Sequence, residues 1–98
     1  VKEQDYQRKI IKFLESLDCY VVKVVSATKS GVPDLIFCYK GIFVGCEVKT
    51  PKTMSNTSEL QKYNLRKIKE AGGYSFVAYS IDQVKEALNA IDRIYLRD

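Results

Sequence analysis

GVPDLIFCYKGIFVGCEVKTP, residues Gly31–Pro51, is the stretch that decides how this chain folds. Two apolar runs, Asp34–Tyr39 and Ile42–Lys49, are rich in β-branched and aromatic residues and flank Lys40-Gly41, a pair with the glycine that a two-residue hairpin turn requires. If that pair is the centre of the turn, the register is fixed, because residues whose numbers sum to that of the turn pair lie opposite each other. Asp34 then faces Glu47. Side chains alternate along a strand, so Lys49 projects from the same face as Glu47. Three charges converge at the open end of an otherwise apolar hairpin.

The flanking sequence supplies the rest of the architecture. Glu3–Leu17 places Tyr6, Ile10, Phe13, Leu14 and Leu17 at three- and four-residue spacings, which predicts an amphipathic helix. Cys19–Val25, CYVVKVV, reads as a strand, and SATKSG after it as a loop. Pro51 ends the hairpin, PKTMSNTS is turn-like, and a helix from Ser58 to Ala71 stops at Gly72-Gly73. Ser75–Tyr79 is a further strand. Ser80 with Gln83 forms a capping box for a last helix through Ala90, and the tail RIYL, Arg93–Leu96, is a candidate edge strand. The fold class is α/β, a mixed sheet flanked by helices in the order α-β-β-β-α-β-α-(β), with a right-handed parallel crossover between strands three and four.

Composition narrows the chemistry. The 98 residues, 46% hydrophobic, suit one domain over residues 1–98 with a modest core. Sixteen Lys and Arg against twelve Asp and Glu leave a formal charge of +4, which favours a polyanionic partner such as nucleic acid. With no histidine, His triads, His metal ligands and imidazole acid–base chemistry are excluded. Cys19, Cys38 and Cys46 sit in apolar runs without C-x-x-C spacing, so they read as core thiols of a reducing cytoplasm. No apolar run approaches the roughly 20 residues of a membrane span, and the N-terminal residues lack a signal-peptide core, so the expectation is a soluble, intracellular protein.

The charged end of the hairpin has a specific chemistry. Directly opposed residues in a ladder have Cβ atoms about 4.5–5.5 Å apart, near enough for two carboxylates each to give an oxygen to one divalent cation. Two carboxylates, a backbone carbonyl such as that of Val48, and waters suit Mg²⁺ or Mn²⁺. Lys49 would polarise an attacking water or a phosphate oxygen. The plain alternative is three solvated charges at a strand end.

Ser30-Gly31-Val32-Pro33-Asp34-Leu35, Glu47-Val48-Lys49-Thr50 and the helical Gln61, in that order and spacing, resemble the VRR-NUC domain of the PD-(D/E)XK nuclease superfamily. The resemblance runs from the first helix through Tyr79. It implies that Asp34 and Glu47 bind the metal, that Lys49 serves the nucleophile and that Gln61 lies beside them. It also implies that Glu3 is directed at the metal from the first helix. Two of these residues have a second reading: Glu3 would also cap its helix against the dipole, and Ser58-x-x-Gln61 is also a capping box.

Standalone domains of this type are similar to archaeal and phage Holliday junction resolvases. By that resemblance the chain is a Mg²⁺- or Mn²⁺-dependent deoxyribonuclease of a bacterial or phage-infected cytoplasm, a homodimer acting on branched, four-way DNA. A flap or single-strand endonuclease, an exonuclease, and an inactive nucleic-acid-binding module remain as alternatives. Lys23, Lys29, Ser30, Lys52, Lys62 and Arg66 flank the motif and are candidate nucleic-acid contacts. Tyr20, Tyr39, Tyr63 and Tyr74 read as core or rim aromatics. The tail IDRIYLRD offers an apolar surface for self-association.

Overall fold

The structure, a computed structural model, describes residues 2–96. The elements follow the expected order: α1 (Glu3–Ser16), β1 (Tyr20–Lys23), β2 (Leu35–Tyr39), β3 (Ile42–Val48), α2 (Glu59–Glu70), β4 (Tyr74–Ala78) and α3 (Ile81–Tyr95). The four strands form one sheet in the order β1-β2-β3-β4, antiparallel through β3 and parallel between β3 and β4 across the α2 crossover.

The hairpin turn is as expected. Lys40 and Gly41 both adopt positive φ, 50° and 84°, the pairing of a type I′ turn. Leu35 pairs with Cys46 and Ile36 with Gly45, so the next position outward brings Asp34 opposite Glu47. By the ladder assignment both Asp34 and Lys49 lie one residue beyond their strands.

Alternation sorts the sheet into two faces. Leu35, Phe37, Val44, Cys46 and Val48 join Ile10 and Leu14 of α1 and Val84, Leu88 and Ile91 of α3 in the main core. The opposite face carries Gly45, Glu47 and Lys49 and is covered by α2, which packs on β3 and β4. Two contacts seat α2 there. Ser75, 1% exposed, donates its hydroxyl to the Leu65 carbonyl at 2.6 Å. Gly45 lacks the Cβ that would lie 2.7 Å from Ile68 Cδ1 and 2.9 Å from Pro33 Cγ.

Several expectations need correction. α3 continues through Arg93–Tyr95, so RIYL is not an edge strand; Leu96 caps the helix, and Arg97 and Asp98 lie outside the described residues. Val84, Leu88 and Ile91 hold that helix against the core, and its period simply carries on. Ser80 accepts from the Gln83 amide, but the Gln83 side chain returns to Tyr79 N at 2.7 Å instead of to Ser80, so the box is displaced by one residue. Leu17, beyond the last turn of α1, is exposed. Only Cys46 is a core thiol: Cys19 is half-buried, and Cys38 is exposed because α2 does not reach over β2. Tyr20 and Tyr63 are likewise exposed, whereas Tyr39 and Tyr74 are half-buried.

Candidate active site

The end of the hairpin is held in place by three segments. Before β2, Asn64 of α2 donates from Nδ2 to the Ser30 carbonyl at 3.0 Å, and Gly31, at φ 81°, has no room for a Cβ beside Leu60. The loop that delivers Asp34 is thereby pinned to α2. On the other side, Val24 N donates to the Asp34 carbonyl at 2.8 Å. After β3, Lys49 N donates to the Ala78 carbonyl at 3.0 Å, and a turn closed by Thr50 N on Thr53 Oγ1 at 2.8 Å follows.

Glu47 is 2% exposed and Lys49 7%, so the pair is not a solvated strand end. Lys49 Nζ lies 3.4 Å from Glu47 Oε2. Gln61, from the first turn of α2, joins both: Nε2 donates to Glu47 Oε2 at 2.8 Å, and Oε1 accepts from Lys49 Nζ at 3.1 Å. Its Oε1 also accepts from Ser58 N at 3.0 Å, while Ser58 Oγ accepts from Gln61 N at 3.1 Å. The capping box and the bridge to the hairpin charges are one structure, so the two readings of Gln61 do not compete.

Asp34 takes a different partner. Its Oδ2 accepts from Val48 N at 2.9 Å, across the end of the ladder. Glu47 Oε1 is sealed from solvent and has no hydrogen-bond partner. Burial first, and the Asp34 charge second, push the Glu47 carboxyl up to about 7, against the opposing pull of Lys49.

Glu3, half-buried in the first turn of α1, is raised as well, chiefly by burial and then by Asp34, with Lys49 acting in the other direction. It therefore faces the same charges. Among the described residues, no three acidic, Cys or His side chains gather closely enough to hold a metal by themselves.

The basic candidates are spread around this centre. Lys62 pairs with Glu59 at 3.5 Å and Arg66 with Glu70 at 3.5 Å, both along the exposed side of α2. Lys23 ends β1, Lys29 and Ser30 lie in the loop before β2, and Lys52 is in the turn after β3.

Gln7 escaped the sequence reading. It is 6% exposed, and its Oε1 has no partner. The signal was available: Gln7 falls four residues after Glu3 and three before Ile10, on the inward stripe of α1.

The sequence matches no family profile and no curated protein. A solved structure described as a "VRR_NUC domain" superposes with a TM-score of 0.71 at 24% identity, covering 95% of this chain and 96% of the other. The arrangement of sheet, crossover helix and charged hairpin is thus the fold of a VRR-NUC domain.

Proposed function

We propose that this chain is a divalent-cation-dependent nuclease that hydrolyses phosphodiester bonds in DNA, with Asp34, Glu47, Lys49 and Gln61 as its working residues. One observation carries the reading: Glu47 Oε1 is buried without a partner beside a second carboxylate, although Oε2 of the same group is held by Gln61 and Lys49. A purely structural ion pair would satisfy both oxygens, since an idle buried acceptor is costly.

The donor set fits a hard cation such as Mg²⁺ or Mn²⁺, with Asp34, Glu47 and the Val48 carbonyl as protein ligands and water completing the shell. Bound there, such a cation would stabilise the charge that develops on the phosphate being cleaved. Lys49, oriented by Gln61 Oε1, directs its ammonium at the attacking water or a phosphate oxygen. Gln61 fixes the Glu47 and Lys49 side chains against each other, so neither must reorganise when substrate arrives.

The finer reading is a Holliday junction resolvase that works as a homodimer. Resolving a four-way junction takes two nicks related by a two-fold axis, and one chain supplies one such centre. The net charge of +4 suits a phosphate-rich partner. Tyr20 and Phe43, 76% and 51% exposed, stand on the part of the sheet that α2 leaves open and offer apolar surface to a second copy.

Labelled four-way, flapped, nicked and linear DNAs incubated with Mg²⁺ or Mn²⁺ test both levels. Wild-type protein is expected to cut the junction in preference to the others, and Glu47→Ala to cut nothing. Undiminished cutting by Glu47→Ala overturns the site. A monomer in light scattering that prefers flaps replaces the resolvase with a flap endonuclease, and binding without cutting leaves a binding module.

A further inference from the structure

Asn64 follows Gln61 by one helical turn, so the two carboxamides leave α2 on neighbouring positions of one face. They serve opposite sides of the carboxylate pair. Gln61 holds Glu47 and Lys49 at the end of β3. Asn64 donates from Nδ2 to the Ser30 carbonyl at 3.0 Å and to the Leu60 carbonyl of its own helix at 3.0 Å. Both hydrogens of the amide are thereby committed. The bond to Leu60 fixes the side chain on α2, and the bond to Ser30 crosses to the loop that leads to Asp34.

That loop lies hard against the helix. A Cβ on Gly31 would stand 2.7 Å from Leu60 Cγ and 3.1 Å from Asn64 Nδ2. Pro33, buried, fixes the backbone just before Asp34, and its ring abuts Gly45 on the sheet. Among the described residues, no other side chain hydrogen-bonds to the backbone of the Ser26–Pro33 loop. Asp34 itself is held by two backbone amides, Val24 N on its carbonyl and Val48 N on Oδ2. Lys49 and Gln61 both turn to Glu47, so the Asp34 side depends on its loop for placement.

We propose that Asn64 is a positioning residue that sets the affinity of the carboxylate pair for its divalent cation, by holding the loop of Asp34 to the same helix whose Gln61 holds Glu47. The assignment rests on the nuclease reading for the presence of a cation between the two carboxylates. A cation needs both at ligand distance. If the loop leaves α2, the fraction of molecules with Asp34 in place falls, and the apparent dissociation constant rises in inverse proportion. Saturating cation recovers the same site. Loss of Asn64 therefore shifts the cation requirement and leaves the maximal rate, whereas Gln61, which touches Glu47 and Lys49 directly, acts on the rate itself.

The test is Mn²⁺ binding without DNA, followed by electron paramagnetic resonance, alongside cleavage over a Mn²⁺ series and thermal melts in EDTA. Asn64→Leu keeps the shape of the side chain and removes its donors. It is expected to bind Mn²⁺ about three- to tenfold more weakly, the worth of a hydrogen bond of ordinary net strength, and to reach a cleavage rate close to wild type at saturating Mn²⁺. Tyr95→Phe serves as control, since it removes a bond of the same kind, from Tyr95 Oη to the Gly73 carbonyl at 2.7 Å, at the other end of α2. It is expected to melt lower and bind Mn²⁺ as wild type.

If Asn64→Leu melts lower but binds Mn²⁺ as wild type while wild type cuts, Asn64 is structural only and the nuclease reading stands. If wild type binds Mn²⁺, Asn64→Leu binds it more weakly and neither cuts, the positioning role stands and hydrolysis falls. A wild type that neither binds Mn²⁺ nor cuts overturns both. Should Asn64→Leu fail to fold, Gly31→Ala loosens the same contact from the loop side, and Mn²⁺ binding unchanged in that variant overturns the proposal.

Discussion

Gln61 donates to Glu47 at 2.8 Å across the gap between the start of α2 and the end of β3. With its nitrogen on Glu47, and Lys49 Nζ at 3.1 Å and Ser58 N at 3.0 Å both donating to its one oxygen, one carboxamide ties a helix cap to a buried charge pair. Where α2 begins and how the charges are held are therefore a single question. The functions of cap and site are separable only by substitution on the two sides of Gln61.

Ser58→Ala removes the hydroxyl that accepts from Gln61 N and leaves the carboxamide in reach of Glu47 and Lys49. It should cost about 1 kcal/mol of stability, the ordinary value of an N-cap, with little change in turnover. Gln61→Ala should cost at least as much and also lower turnover at saturating DNA by more than tenfold. Thermal melts and single-turnover cleavage on the same preparations compare the two. Equal losses of turnover would place the effect in the cap.

Glu47 gives the protein a signed pH dependence. Its carboxyl titrates near 7 in the folded chain against an ordinary value of 4.5, so between these pH values the folded state binds more protons than the unfolded state. The contribution to stability is therefore fully present below about 4.5 and is lost as pH rises through about 7. In EDTA the melting temperature of wild type should fall from pH 5 to pH 8 more than that of Glu47→Gln. Adding Mg²⁺ or Mn²⁺ at pH 8 should restore wild type and leave the variant unmoved. Parallel curves for the two proteins would contradict the burial of this charge.

How far these features were legible in the sequence depends on distance along the chain. The opposition of Asp34 and Glu47 followed from two turn residues, because a hairpin converts numbering into register. The capping role of Gln61 was equally local. Its reach across to Lys49 was not, because it depends on how α2 docks, which is set by Gly45 and Ser75 far away in sequence. The length of α3 is hidden by the strand-like composition of RIYL, a preference that tertiary packing on the core overrides. Exposure of Cys38 was illegible for the same reason: an apolar strand does not reveal which rows of its face a helix will cover.

Lys49 is the counter-charge of a pair whose side chains are 9% and 3% exposed. Lys49→Met keeps the length of the side chain and removes the ammonium. Cleavage should be lost, and because the pull of Lys49 on Glu47 disappears, the pH at which stability falls should move above 7. Lys49→Arg should also cut poorly, since a planar guanidinium cannot occupy the place of a compact ammonium between Glu47 and Gln61. Cleavage by Lys49→Met near the wild-type rate would remove Lys49 from the working residues.

Gly45 links packing to the site most directly. A Cβ there would meet Ile68 Cδ1 at 2.7 Å and Pro33 Cγ at 2.9 Å, that is, both α2 and the residue before Asp34. The tip of Ile68 is flexible, whereas the Pro33 ring is not, so the strain of Gly45→Ala falls on the loop that carries Asp34 and on the seat of the helix that carries Gln61. Overpacking of this kind should cost about 1–3 kcal/mol, with a loss of turnover because two working side chains shift together. Ile68→Ala relieves only the helix side. The double variant should therefore recover part of the stability lost by Gly45→Ala but not full turnover, the contact with Pro33 remaining. Denaturant melts and cleavage rates of the two single variants and the double variant form a cycle with favourable coupling in stability. Additive losses would show that Gly45 and Ile68 do not meet.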